Sequence, residues 1–295
     1  MNLRWPPPPG GGGPGPYGPG NTGPRTGRPT LPDPPTDLVA TPHGVNLETL
    51  VTGHGEPVTV FAHGLGSGIA DTRPLGSAVD GRKVFFQFRG HGRSSAPPPP
   101  WTYADLARDL RAIADLSRAT RAVGVSLGAG ALCRLLVDSP RRFDRVVLFL
   151  PAVLDIPRPE VARERLTALL TALADGDVAA VAEAIARDTP PSVRDTPGAW
   201  SYFRQRIDQL TRDGLAPALA TLPDQVAVPD RGRLAAVCAR TLVIGCRGDD
   251  LHPVAVAEEV AAAVPGAVLH VYDRPGVVWN QRSDLRGRIS AFLND

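Results

Sequence analysis

A glycine-flanked serine constrains this chain more than any other feature. A short apolar run begins at Arg121 and reaches Gly124-Val125-Ser126-Leu127-Gly128, which continues into a helix-compatible segment. Gly124 and Gly128 leave room for a strand to turn abruptly into a helix, with Ser126 at the apex in a strained conformation. The amides of that helix would face the serine hydroxyl. The pattern predicts a nucleophile elbow with Ser126 as candidate nucleophile, although such a pentapeptide also arises by chance in turns.

Length and composition limit the class of protein. The 295 residues, 42% of them hydrophobic, can bury one large core, as a single α/β domain with an insertion or as two domains. The net charge is +2, Lys83 is the only lysine and there is no basic run, so we expect no nucleic-acid partner. Three cysteines without metal-ligand spacing favour a reduced compartment over disulfides.

Targeting signals are not apparent in the sequence. No stretch is apolar and long enough to span a bilayer, and the first residues run straight into prolines without an apolar signal region. We therefore expect a cytoplasmic protein with no membrane partner. We also expect it to act on a small-molecule substrate without a cofactor or a metal ion. The oligomeric state is left open.

The chain divides into segments of different composition. Residues 1–35 are dominated by proline and glycine and are predicted to be a disordered tail. Residues 36–295 are predicted to form the folded domain. Within it, residues from about 152 to 229 lose the strand rhythm and carry Ala- and Leu-rich helical patterns, which predict an inserted helical cap.

Apolar runs outside the insertion predict a mainly parallel sheet flanked by helices. Two β-branched runs at 45–52 and 58–62 are separated by a short connection and are predicted to pair antiparallel. The later runs at 83–88, 122–125 and 145–150 alternate with helical patterns, which is typical of parallel strands. After the run at 58–62, the segment His63-Gly64-Leu65-Gly66 forms a glycine-rich loop that could aim the Leu65 amide at a developing oxyanion.

Motifs at successive strand ends resemble those of the α/β-hydrolase superfamily, over the chain from about Thr36 to Asp295. Their order and spacing match the superfamily pattern. The motifs are His63-Gly64-Leu65-Gly66, Arg89-Gly90-His91-Gly92-Arg93-Ser94, Gly124-Val125-Ser126-Leu127-Gly128 and Gly248-Asp249-Asp250-Leu251-His252-Pro253. The resemblance implies the α/β-hydrolase fold with a helical cap over a serine hydrolase site.

The resemblance also implies roles for single residues. In the superfamily pattern the triad acid lies four residues before a proline, so Pro253 selects Asp249, and the adjacent Asp250 is the weaker candidate. The oxyanion would be stabilised by the amides of Leu65 and Leu127.

The triad histidine of the superfamily is not found after the last predicted strand, at 268–272. Val277 stands at one of the two expected positions and Gln281 at the other. The Gln281 amide could hydrogen-bond to Asp249 or Ser126, but it cannot accept the serine proton at neutral pH.

Three other histidines are possible substitute bases. His63 and His91 lie in loops predicted to line the same end of the sheet, and His252 lies three residues beyond Asp249. A structural role is favoured for each, because the first two belong to loop motifs that fix backbone and His252 precedes Pro253 at a helix start.

Three classes of function follow. The first is a serine hydrolase of a small ester, lactone or thioester, acting through Ser126 with a recruited base. The second is an impaired pseudo-hydrolase that binds a ligand or partner. The third is a hydrolase-fold enzyme of other chemistry, such as a lyase or isomerase, that works without a triad histidine.

Overall fold

The computed structural model describes residues 34–211 and 215–295. The predicted tail at 1–35 lies almost entirely outside the described residues. Eight strands form one sheet in the order β1-β2-β4-β3-β5-β6-β7-β8. Their bounds are β1 Asp37–Ala40, β2 Asn46–Thr52, β3 Val58–Ala62, β4 Arg82–Phe86, β5 Arg121–Val125, β6 Arg145–Phe149, β7 Arg240–Cys246 and β8 Val268–Tyr272.

Helices connect the strands. Their bounds are α1 Ile69–Thr72, α2 Tyr103–Ser117, α3 Leu127–Asp138, α4 Glu160–Ala174, α5 Val178–Arg187, α6 Pro197–Leu210, α7 Leu215–Leu219, α8 Val254–Ala263, α9 Val277–Asn280 and α10 Arg282–Asn294. Within the described residues, no helix is both long enough and apolar enough to cross a membrane.

The sheet is parallel from β4 to β8, and β1 and β2 pair antiparallel at one edge. The prediction that β2 and β3 form an antiparallel pair is wrong. β4 lies between them, and it pairs antiparallel with β2 and parallel with β3. All five residues of β3 are buried, which is typical of a central strand covered by helices on both faces.

Alternate residues of the central strands build two separate cores. In β6, Val146 and Leu148 face the helices α2, α3 and α8, whereas Val147 and Phe149 face α10. Each inward-facing row is apolar because both faces of this sheet are covered. Burial on both faces fixes the strand register, and the register fixes which loops meet at the carboxyl end of the sheet.

The helices α4, α5, α6 and α7 lie in one insertion between β6 and β7. This β6–β7 insertion covers residues 150–239 and packs Leu170, Val181, Phe203 and Leu210 into the same core as α2 and α3. Helical patterns predicted at 161–174 and 178–185 coincide with α4 and α5. The insertion therefore shares its apolar core with the helices α2 and α3.

Candidate active site

Ser126 lies at the turn between β5 and α3, in a conformation that side chains rarely adopt. Its φ is 51°, and it is the N-cap residue of α3. The strand and helix approach so closely that a Cβ at Gly124 would lie 2.6 Å from the Gly128 carbonyl oxygen. A Cβ at Gly128 would lie 2.4 Å from the Ala62 carbonyl oxygen of β3. These two glycines therefore permit the sharp turn that presents the Ser126 side chain at the sheet's carboxyl end.

Asp249 organises the loop between β7 and α8. Its Oδ1 accepts hydrogen bonds from the backbone amides of Leu251 and His252, both at 3.1 Å. Burial opposes ionisation of this carboxyl. The His252 ring and these amide hydrogen bonds outweigh burial and hold the pKa of Asp249 below its ordinary value. Asp249 is thus a carboxylate at neutral pH.

His252 joins Asp249 to Ser126. Its Nδ1 lies 3.0 Å from Asp249 Oδ2, and its Nε2 lies 2.8 Å from Ser126 Oγ. A carboxylate only accepts hydrogen bonds, so Nδ1 carries the proton in the neutral ring and Nε2 is the acceptor for the serine hydroxyl. The sequence analysis favoured a structural role for His252 and kept it as a possible substitute base, and these two contacts agree with the second alternative. The structure brings His252, Asp249 and Ser126 into one hydrogen-bonded chain.

His63 and His91 have backbone partners on both ring nitrogens. His63 Nδ1 lies 2.7 Å from the Gly64 carbonyl oxygen, and its Nε2 accepts the Phe88 amide at 2.9 Å. His91 Nδ1 lies 3.0 Å from the Arg89 carbonyl oxygen, and its Nε2 accepts the Gly66 amide at 3.2 Å. Neither histidine is placed to take a proton from Ser126, so the two fix loop backbone, as the sequence analysis favoured.

Burial keeps His63 uncharged. The ring is fully buried, and burial, together with the nearby His91, holds the pKa of His63 well below its ordinary value although the Gly64 carbonyl opposes the shift. A neutral ring can donate from Nδ1 and accept at Nε2 simultaneously, as the two hydrogen bonds require.

The segment after β8 supplies wall residues instead of a base. Val277 is buried at the start of α9 and lines the cavity above Ser126. Gln281 is exposed between α9 and α10 and is outside that lining. The expectation that Gln281 could reach Asp249 or Ser126 is therefore not met, because His252 already occupies both partners.

The segments that contain Leu65 and Leu127 both lie beside Ser126. Leu127 is the first residue of α3, and first-turn amides have no carbonyl partner within their own helix. The loop that contains Leu65 passes directly against the serine, since a Cβ at the preceding Gly64 would lie 3.4 Å from Ser126 Cβ. The structure thus places both segments beside Ser126.

A cavity of about 1350 Å³ lies between the β6–β7 insertion and the carboxyl end of the sheet. Its lining includes Ser126, Asp249 and His252 as well as the side chains of α4, α5 and α6. Its size exceeds the range of roughly 300–1,000 Å³ common for small-molecule sites. The candidate triad therefore opens into a space large enough for a small-molecule ligand.

Arg165 of α4 connects the insertion to the loop that holds Asp249 and His252. It pairs with Asp188 at the end of α5, and its Nη1 lies 3.2 Å from Asp250 Oδ2. Asp250 thus faces the insertion, whereas Asp249 faces His252. The sequence analysis did not identify Arg165, because no local pattern distinguishes it from the other arginines of the helix.

Within the described residues, no group of three or more His, Cys, Asp or Glu side chains is arranged to hold a metal ion.

Comparison with known proteins agrees with this architecture. The family model described as "Alpha/beta hydrolase family" matches residues 19–285, so the chain belongs to the α/β hydrolase family. Among solved structures, it resembles a hydrolase from Pseudomonas aeruginosa PA01 with a TM-score of 0.74 and 25% sequence identity, covering 88% of this chain and 98% of that one.

Two further solved structures share the fold at lower identity. An enol-lactonase from Burkholderia xenovorans LB400 has a TM-score of 0.74 and 22% identity, covering 88% of this chain and 100% of that one. An esterase from Exiguobacterium antarcticum has a TM-score of 0.74 and 17% identity, covering 88% of this chain and 99% of that one.

Proposed function

We propose that this protein is a serine hydrolase of a small-molecule ester, lactone or thioester, with Ser126 as nucleophile, His252 as general base and Asp249 as the acid that orients it. One observation carries the proposal: His252 lies within hydrogen-bonding distance of Ser126 Oγ on one side and of Asp249 on the other. This is the relay that activates a serine hydroxyl, recognised by its geometry and not by the order of its residues along the chain.

Acylation follows from the positions of these atoms. Ser126 Oγ attacks the carbonyl carbon of the substrate while His252 Nε2 accepts the hydroxyl proton. The Asp249 carboxylate holds the Nδ1–H tautomer and stabilises the positive charge that the ring gains. When the tetrahedral intermediate collapses, the bond to the leaving alcohol, enol or thiol breaks, and His252 gives its proton to that group.

The amides of Leu65 and Leu127 are the proposed oxyanion donors. The negative charge on the carbonyl oxygen develops between the start of α3 and the loop that passes against Ser126. Two amides in a fixed backbone need no reorganisation as the charge forms. In other serine hydrolases, one such donor stabilises the transition state by about 3–4 kcal/mol.

Deacylation uses the same groups in reverse. A water molecule occupies the place of the departed group and gives a proton to His252 Nε2 as its oxygen attacks the acyl-enzyme carbonyl. The ester bond to Ser126 then breaks, the proton returns to Ser126 Oγ, and the carboxylic acid leaves. For a lactone, the product of the whole cycle is the open hydroxy acid; for an enol lactone it is the enol acid, which tautomerises to the keto acid.

The β6–β7 insertion is the proposed cap of this site. Its helices form the side of the cavity opposite Ser126, and Arg165 joins them to the Asp249–His252 loop. A covered site limits access of bulk water and strengthens the hydrogen bonds to the developing charge. That an esterase and an enol-lactonase share the fold is consistent with carboxylic ester chemistry, but fold alone does not assign it.

A fluorophosphonate probe tests the proposal. We expect the wild-type protein to be labelled at Ser126, the Ser126→Ala variant to remain unlabelled and His252→Ala to be labelled at least about a hundredfold more slowly. Ser201→Ala is the matched control, because Ser201 lines the same cavity from α6 and should not affect labelling. An unlabelled wild type would contradict the proposal and favour a pseudo-hydrolase.

A further inference from the structure

One face of α6 spans the cavity. Tyr202, Arg206 and Leu210 follow each other at intervals of four residues and all line it. Leu210 packs so closely on Gly66 that a Cβ at Gly66 would overlap its side chain. At the other end, the Tyr202 ring meets Trp279 of α9 edge to face, with centroids 5.2 Å apart. Arg206 is thus held between the loop carrying Leu65 and the segment after β8.

Seven arginines line this cavity, and most of them already have acceptors. Arg165 pairs with Asp188 and Asp250. Arg158 donates to the Leu222 carbonyl and to the Tyr103 hydroxyl, and Arg194 donates to the Thr189 carbonyl. Arg282 donates from Nε to the Val278 carbonyl. These guanidinium groups therefore serve the architecture of the cavity wall.

Arg206 differs from them. It is half-buried and forms neither an ion pair nor a side-chain hydrogen bond with any residue in the described part of the chain. Arg187 and Arg286 also lack a carboxylate partner there. Arg187 is exposed, whereas Arg286 is half-buried on α10 with a buried Nε that has no partner, so Arg206 is singled out by its place between Tyr202 and Leu210 on α6. A guanidinium group without an acceptor in a partly desolvated position favours a planar anion, with which it can form two parallel hydrogen bonds.

The charged groups near Arg206 are consistent with its position between the loop carrying Leu65 and the segment after β8. The charge of Arg206 contributes to lowering the pKa of His63, which begins the loop containing Leu65. The carboxylates of Asp71 and Asp188 also act on Tyr202, one turn from Arg206. Asp71 already accepts hydrogen bonds from Ser67 Oγ and the Gly68 amide, and Asp188 pairs with Arg165. Neither acid is within ion-pairing distance of Arg206.

We infer that Arg206 binds a carboxylate group of the substrate, so that the preferred substrate is an ester, thioester or lactone that carries a second, ionised carboxyl group. This inference rests on the proposed hydrolase function and specifies its substrate class. Such a group would be anchored to α6 while the scissile carbonyl reaches Ser126.

A pair of activated esters isolates the effect of the charge. p-Nitrophenyl butyrate and mono-p-nitrophenyl glutarate have the same acyl chain, except that the second ends in a carboxylate. We expect Arg206→Gln to lower the ratio of kcat/KM for the glutarate to that for the butyrate by about ten- to hundredfold, the range for a hydrogen bond to a charged group. Arg206→Lys keeps the positive charge but not the two parallel N–H donors of the guanidinium group. Its ratio should therefore lie between those of Arg206→Gln and wild type.

Arg204→Gln is the matched control, because Arg204 lies two residues away on α6, is exposed and does not line the cavity. It should leave the ratio within about twofold of wild type, since surface charges contribute little. The inference would be overturned if Arg206→Gln left the ratio unchanged, or if both glutamine variants lowered it equally.

A binding measurement separates this inference from the proposed chemistry. Glutarate is titrated calorimetrically into Ser126→Ala and into the same protein carrying Arg206→Gln or Arg204→Gln. We expect at least about tenfold weaker binding with Arg206→Gln only. If no ester is hydrolysed but this pattern holds, the proposed function fails and the carboxylate site stands. If glutarate binds none of the proteins, or binds all three equally, the carboxylate site fails.

Discussion

Asp249 and His252 lie three residues apart in a single turn, and this turn brings His252 Nδ1 to 3.0 Å from Asp249 Oδ2. The same carboxylate accepts the backbone amide of His252, so side chain and backbone of the histidine are fixed by one acid. In the superfamily pattern, the acid and the histidine come from loops after two different strands. Here the loop after β7 contains both Asp249 and His252, and the segment after β8 lines the cavity.

We expect Asp249 to be decisive for the proposed activity, because the short turn fixes His252 against it. We expect Asp249→Asn to lower kcat by at least about a hundredfold, because an amide in this position can stabilise the wrong tautomer of His252 and carries no charge to balance the imidazolium. Ester hydrolysis with p-nitrophenyl butyrate measures the loss. Asn retains an oxygen for the Leu251 and His252 amides, so the loop itself should persist.

Asp250→Asn is the control for that variant. Asp250 is next in sequence and its side chain is 60% exposed, with Arg165 as its partner. We expect kcat to stay within about threefold of wild type, because an exposed ion pair contributes at most about 1 kcal/mol. Equal losses in the two variants would mean that Asp249 has no special relationship to the histidine.

Moving a histidine to the position after β8 should not replace His252. We expect His252→Ala to lower kcat by at least about a hundredfold and the double variant His252→Ala, Gln281→His to remain as inactive. Residue 281 is exposed and outside the cavity lining, so an imidazole there could not reach Ser126 without rearrangement of the chain between α9 and α10. Recovery of activity in the double variant would contradict this geometry.

The sequence could reveal Ser126 and Asp249 as candidates because their signals are local. Gly124 and Gly128 report a tight turn, and the spacing from Asp249 to Pro253 matches the superfamily pattern. The position of the His252 ring is not local. It depends on a side-chain direction and on the neighbouring strands β5, β6 and β7, which bring residues 126 positions apart to 2.8 Å. The position before proline predicts the backbone of His252 and does not predict where its ring points.

The strands show the same difference between local signals, which the sequence carries, and neighbours in the sheet, which it does not. Apolar runs predicted the central strands closely. The short connection between β2 and β3 suggested a hairpin, but β3 is apolar on both faces and takes its place inside the parallel sheet. Burial of both faces outweighed proximity in sequence. No sequence signal marked Arg206 as lacking a side-chain partner among the described residues, because the lack of a partner is a tertiary property.

His63 should make the stability of the protein dependent on pH. Its pKa is held well below the ordinary value of 6.5 by burial, so the folded protein keeps it neutral where the unfolded chain binds a proton. This contribution to stability is fully present above pH 6.5 and is lost as the pH falls. Between about pH 7.5 and pH 5, we expect His63 to account for a loss of at most about 2 kcal/mol in the free energy of unfolding, which is the limit for a ring that stays neutral in the folded protein.

Urea unfolding at both pH values measures this effect. His63→Gln should be less stable at neutral pH, since it loses fixed hydrogen bonds, but its free energy of unfolding should fall less than that of wild type on acidification. His54→Gln alters an exposed histidine and should keep the pH dependence of the wild type. A His63→Gln protein with the wild-type pH dependence would show that other groups cause it.

Asp109 of α2 and Arg89 form a buried ion pair, and removal of one partner alone should strongly destabilise the fold. Arg89 Nε and Nη2 donate to the two carboxylate oxygens, each at 2.8 Å, and His43 Nε2 lies 2.8 Å from Oδ1. The Asp109 side chain is fully buried and that of Arg89 is 6% exposed. We expect Arg89→Met to reduce the free energy of unfolding by about 3–5 kcal/mol, because it leaves a buried carboxylate without its principal partner.

Arg111→Met tests whether burial is the cause. Arg111 pairs with Asp115 on the same helix, where the side chains are 45% and 47% exposed, so its removal should cost no more than about 0.5 kcal/mol. Adding Asp109→Leu to Arg89→Met removes the unpaired carboxylate and should recover part of the loss, although His43 then loses its acceptor. Similar losses for Arg89→Met and Arg111→Met in urea unfolding would contradict a special contribution from the buried pair. No recovery in the double variant would assign the loss to the packing of the Arg89 side chain and not to the charge left on Asp109.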